Sequence, residues 1–145
     1  MATLAYPVTR YEPPAPVNLG SAAERKRLSV SGLKAVFKIA ALWNLRDEDV
    51  RQLLGGLTNG PYYALKKNPA HRVLTEDEIY RVSYLIGIFK ALNILHGKPL
   101  ADEWLQLPNS NRIFAGHTPL EYMLRGGVPA MQTVRRLLDA RRGGL

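Results

Sequence analysis

Apolar residues recur every three or four positions along most of this chain, the spacing that gives an α-helix one buried face. In "SGLKAVFKIAALWNL" the series is Leu33, Val36, Phe37, Ala40 and Ala41, continued by Trp43 and Leu45. The polar stretch before it, "SAAERKRL", predicts a separate short helix. "RDEDVRQLLGG" places three acids in a first turn, where the helix dipole favours them, and glycines where a helix stops. "TNGPYYALKKNP" is bounded by Gly-Pro and Asn-Pro, with Pro61 at a tolerated first-turn position. Thr75 stands three residues before Glu78, which predicts a capping box. The helix it opens runs to about His96, with Gly97 as its stop. "TPLE" repeats the device at Thr118, Pro119 and Glu121, and that helix breaks at Gly126-Gly127. A last helix from Val128 to about Arg142 carries Met131, Val134, Leu137 and Leu138 on one face. No segment alternates with period two for long enough to be a strand, so the expected fold class is all-α.

Two regions depart from simple amphipathicity. Four of the ten prolines fall in residues 1–20, which predicts an arm without regular structure. Between Thr75 and His96, Ile79, Val82, Leu85, Ile86, Phe89, Leu92 and Leu95 form one stripe, and Tyr84, Ile88 and Ile94 widen it around the cylinder. A helix apolar over most of its surface needs cover on several sides, and a homodimer is one way to supply it. The predicted organisation is an arm at 1–20, a helix-turn-helix unit at 21–74, and a helical unit at 75–145 for dimerisation and partner binding.

Charge narrows the partners. Of a net charge of +8, residues 1–74 hold 11 Lys and Arg against 5 Asp and Glu, while residues 75–145 hold 9 against 7. A basic, helix-forming front half points to a polyanion, most often nucleic acid. No cysteine is present, so disulfides and thiolate zinc sites are excluded. His71, His96 and His117 are isolated, and no metal or cofactor is expected. The beginning lacks the basic and apolar regions of a signal peptide. The longest apolar run, Val82 to Leu95, is too short and too polar to span a bilayer. A soluble, cytoplasmic protein is the expectation. Glu121 is explained by capping, Ser110 and His117 have no spacing that implies a nucleophile, and Gly126-Gly127 follows no strand, so no enzymatic activity is expected.

"DEDVRQLLGGLTNGPYYALKK" has the layout of a helix-turn-helix, whose second helix enters the major groove. Lys66 and Lys67 can neutralise phosphates, and Asn59 can present a donor and an acceptor to a base edge. Tyr62 and Tyr63 can hydrogen-bond phosphate or touch a thymine methyl. The alternative is an αα-corner with Tyr62 or Tyr63 packed inside. At the other end, Arg141, Arg142 and Gly143 suit a helix terminus that compensates its dipole and caps.

Residues Trp104 to Gly144 resemble the Xre/MbcA/ParS toxin-binding domain of bacterial antitoxins. The matching positions are Trp104-Leu105, Asn109 with Asn111, Phe114-Ala115-Gly116, Pro119-Leu120, Gly126-Gly127, Val134 and Leu137-Leu138. Upstream, Leu42-Trp43-Asn44-Leu45 with Leu53-Leu54-Gly55 is similar to that family's Xre-like helix-turn-helix. Arg46 stands where a small capping residue is expected, and Gly60-Pro61 sits in the predicted recognition helix. The resemblance implies an antitoxin without activity of its own. Such a protein binds and silences a RES-domain toxin that consumes NAD, and binds operator DNA of their shared operon. On that footing Arg135 and Leu138 belong to the toxin-docking helix. Arg141, Arg142, Gly143, Gly144 and Leu145 enter the cleft, where arginine suits a site that must accept a diphosphate. The other reading is a stand-alone helix-turn-helix transcriptional regulator whose carboxyl-terminal unit dimerises or senses a ligand.

Overall fold

The computed structural model describes residues 18–143; most of the predicted arm, Gly144 and Leu145 lie outside them. Six α-helices follow in order: α1 (Ala22–Leu42), α2 (Asp47–Leu53), α3 (Asn59–Lys67), α4 (Glu76–Leu95), α5 (Leu100–Glu103) and α6 (Pro119–Arg142). Two short 3-10 turns, Trp104–Gln106 and Arg112–Phe114, join α5 to α6. Among the described residues there is no strand. The fold is all-α, as the period of the apolar positions implies.

α4 is the hub, packing against α1, α5 and α6. This accounts for its nearly all-round apolar surface within a single chain. Leu85, Ile88, Ala91 and Leu92 are fully or almost fully buried, and Phe89 meets Trp43 with ring centroids 6.2 Å apart. One continuous core runs from Leu33 through Trp43, Leu65 and Ile88 to Leu138, and so crosses the expected unit boundary at residue 74.

The two helices expected over residues 21–45 are a single one, α1. Ser29 does not break it because its hydroxyl has tertiary work: it donates to the Arg25 carbonyl at 2.6 Å and accepts the Leu74 N–H at 2.9 Å. Gly32 does not break it either. A Cβ there would lie 2.7 Å from a Val82 methyl, so the glycine is what lets α1 and α4 approach. Both expected capping boxes are present. Thr75 and Glu78 exchange bonds of 3.2 and 2.9 Å, and Thr118 and Glu121 exchange two of 3.1 Å. The break in α6 falls at Gly127, whose φ of 65° and ψ of −144° are not helical. Pro129 then sits in the first turn of the second segment, where its missing N–H costs nothing.

Candidate functional site

Two surfaces emerge. The first is α2, a turn and α3. Gly55 and Gly56 make the turn with φ of 114° and 82°, angles that side chains other than glycine rarely adopt. The Arg51 guanidinium closes it by donating to the Leu57 carbonyl at 3.0 Å. At the start of α2, Arg46 stands at the cap position but has no acceptor to offer. Asp49 reaches back instead, accepting the Arg46 backbone N–H at 3.4 Å and two guanidinium nitrogens at 3.2 and 3.1 Å. The basic capping residue is thus compatible with the helix start.

α3 buries only Tyr62 and Leu65 and leaves Asn59, Gly60, Pro61, Tyr63, Lys66 and Lys67 exposed. Four of the five expected DNA-contacting residues therefore share an open face. The fifth, Tyr62, is corrected to an interior residue. It is completely buried, and its ring lies edge-on to Phe37 with centroids 6.0 Å apart. Its hydroxyl donates to Asp47 at 2.6 Å. The same carboxylate accepts Lys66 Nζ at 2.6 Å and the Tyr63 hydroxyl at 3.4 Å. Lys66, followed by Tyr62, holds the Asp47 carboxyl below the usual carboxylate range. Burial first, and Asp47 second, push the Tyr62 phenol well above the usual tyrosine range, so it remains a proton donor. Sequence spacing attributes Asp47 to the helix dipole alone. Its role as the node that organises α3 depends on a contact across 15 to 19 residues, which local pattern does not carry.

The second surface is the carboxyl-terminal region. Its distinctive residues make a scaffold. Phe114 is fully buried between Trp104 and Tyr122, edge-on to each, at 6.1 and 5.3 Å. Asn109 and Asn111 fold the preceding loop, accepting the N–H of Asn111 at 2.9 Å and of Ile113 at 3.1 Å. Ala115 and Gly116, both at positive φ, turn the chain into α6. Glu121 is committed to capping: the Thr118 N–H holds its carboxyl below the usual range.

Along α6 the expected partner-binding residues divide. Leu138 is completely buried and is corrected to a core residue, since it lies on the apolar face that α6 turns inward. Arg135 lies across α4 with its guanidinium where a side chain on Gly87 would have to be, and pairs with Asp139 at 2.9 Å. Arg141, Arg142 and Gly143 are exposed at the end of the helix. Arg142 keeps a loose pair with Asp139 at 3.7 Å, and Arg141 has no ion pair among the described residues. Gly144 and Leu145 lie outside the described residues. Periodicity does not single out the exposed apolar side chains of this region: Ile94, Leu100, Leu107 and Ile113 are each more than a third exposed. Leu107 faces Leu42 across a groove of about 490 Å³ that also takes in Asn44, Pro99 and Glu103.

Among the described residues there is no cluster able to hold a metal ion, and no helix is long and apolar enough to cross a membrane.

Residues 91–144 match the family described as the antitoxin Xre/MbcA/ParS C-terminal toxin-binding domain. The match takes in the end of α4, α5, both 3-10 turns and α6. The chain is also 39% identical over 113 residues to the uncharacterized protein y4oB of Sinorhizobium fredii (strain NBRC 101917 / NGR234). That alignment covers 77% of this chain and 84% of the relative. No solved structure matches.

Proposed function

The chain belongs to the Xre/MbcA/ParS family of antitoxins, and from that premise we propose that it silences a RES-family, NAD-degrading toxin by occluding its active site and represses their shared operon. The antitoxin role and a toxin partner come with the family. The toxin's class, the occlusion and the repression are our reading.

One observation carries it. The family match takes in the end of α6, which presents Arg141 and Arg142 to solvent ahead of Gly143. Guanidinium forks suit a cleft built for a diphosphate. The exposed leucines and isoleucines of the same region supply apolar area for docking. The repressor half of the reading is supported by the helix-turn-helix layout and the open face of α3. In that half Asn59, Tyr63, Lys66 and Lys67 are the DNA-facing residues.

The test is co-purification with the product of the adjacent gene, followed by truncation after Ala140. Removing residues past the last core position, Leu138, leaves the fold intact. The truncated chain is expected to bind the toxin but to leave much of its NAD-cleaving activity uninhibited at saturation. Full silencing by the truncated chain would remove the closing residues from the mechanism. Failure to recover any NAD-degrading partner, with operator binding retained, would favour a stand-alone regulator.

A further inference from the structure

Tracing which positive charges are already engaged relocates the basic surface. Every acid in residues 18–74 holds a base. Glu24 binds Arg27 at 2.7 Å, Asp47 binds Lys66 at 2.6 Å, and Arg46 is shared by Asp49 at 3.1 Å and Glu48 at 3.6 Å. Arg72 is turned onto Glu78 at 2.8 Å. Arg25 and Arg51 keep their charge but are half-buried, donating to the carbonyls of Leu19 and Leu57. The remaining cations are Lys26, Lys34, Lys38 and Lys67, all exposed and none in an ion pair among the described residues.

Three of these four lie on α1. Lys34 and Lys38, four residues apart, are neighbours on one side of the helix, spaced along its axis by roughly 6 Å. Both lie opposite the buried face of Leu33, Val36 and Ala40, whereas Lys26, seven residues before Leu33, projects on the Leu33 side near the start of the helix. Lys34 and Lys38 flank Phe37, the α1 residue whose ring meets Tyr62 of α3. The pair therefore lies on the helix that supports α3, which contributes Lys67.

We propose that α1 is a second nucleic-acid-contacting element, on which Lys34 and Lys38 grip the phosphates of duplex DNA beside the helix-turn-helix. This rests on the operator-binding reading above. Ammonium groups act as point charges, so the pair adds affinity and register but reads no bases. Arg27 and Ser31, exposed on α1 beside Lys34 and Lys38, offer no aromatic platform for unpaired bases and no apolar side chain for a bilayer. A duplex backbone is the polyanion that this face fits.

The test titrates the full chain onto a short random-sequence duplex over a range of KCl. The variants are Lys34→Ala/Lys38→Ala, Lys34→Gln/Lys38→Gln and Lys67→Ala, with helicity checked by circular dichroism. Removing one lysine from a phosphate should flatten the log–log salt dependence by about 0.9, so both double variants should flatten it by roughly 1.8. Double variants that keep the wild-type slope, while Lys67→Ala lowers it, would overturn the α1 surface and leave operator binding standing. No salt-dependent duplex binding by the wild-type chain would overturn both. Wild-type binding to anionic phospholipid vesicles but not to duplex would also overturn it, in favour of a membrane surface.

Discussion

Single carboxylates decide much of the front half. Asp47 holds the hydroxyl of a buried tyrosine and the charge of an exposed lysine together. Asp47→Asn keeps an acceptor for Tyr62 but releases Lys66. On the DNA reading it should tighten duplex binding and steepen the salt dependence by about 0.9. Unchanged affinity and slope in that variant would place Lys66 away from the phosphates. Of the carboxyls held below their usual range, Glu78 is the buried one. Burial by itself would raise its pKa, but two Arg72 bonds of 2.8 Å and the Thr75 N–H outweigh it, and the carboxyl sits below its usual value. A carboxyl depressed in the folded state stabilises the fold above its unfolded pKa. That contribution is lost as pH falls through the lower, folded value. Glu78→Gln should cost about 1.5–3 kcal/mol at neutral pH, and the difference should shrink as pH falls below the usual glutamate range and the folded carboxyl protonates. Urea unfolding at pH 7 and pH 3 reads this directly, and an equal gap at both would dismiss the ion pair as the cause.

At the scale of elements, the break in α6 orients the last helix. Gly127 combines a positive φ with an extended ψ, a region essentially closed to other residues, although a Cβ would find space there. Gly127→Ala should therefore destabilise by about 1–3 kcal/mol through backbone strain alone. Gly60, in the first turn of α3, has ordinary helical angles and open space around it. Gly60→Ala should change stability by less than about 1 kcal/mol, because restricting the unfolded chain is offset by the poor fit of a Cβ in helical angles before Pro61. Thermal or urea unfolding of the two variants side by side is the check. Equal effects would mean that the Gly127 conformation is not the constraint. Gly32 and Gly87 act at the same scale but differently, the first making room for Val82 and the second for the Arg135 guanidinium.

For the whole molecule, self-association remains a proposal, and internal packing covers most of α4. What is left open is a groove of about 570 Å³ between α1 and α4, lined by Leu28, Ala35, Ile79, Tyr80, Val82 and Ile86. Tyr80 is half exposed on its edge. A second copy seated there would bury this apolar area. Sedimentation at micromolar concentration should then show a dimer, and Ser83→Glu, at an exposed position of the groove, should dissociate it without unfolding. A wild-type monomer would end the dimer reading. A dimer indifferent to Ser83→Glu would move its interface elsewhere.

The all-helical fold, both capping boxes and the arrest at Gly126-Gly127 were legible in sequence, because each is set by neighbours within about one or two helical turns. Asn59, Tyr63, Lys66 and Lys67 share one exposed face of a short helix for the same reason. Tertiary structure decided the rest. Ser29 and Gly32 look like a helix break until Leu74 and Val82 are brought against them. Tyr62 and Leu138 look available until the core closes over them. The basic excess of residues 1–74 was visible as a sum. Its location on α1 was not, because that depends on which acid reaches which base across the folded chain, and Asp47 reaches Lys66 only once α3 has docked.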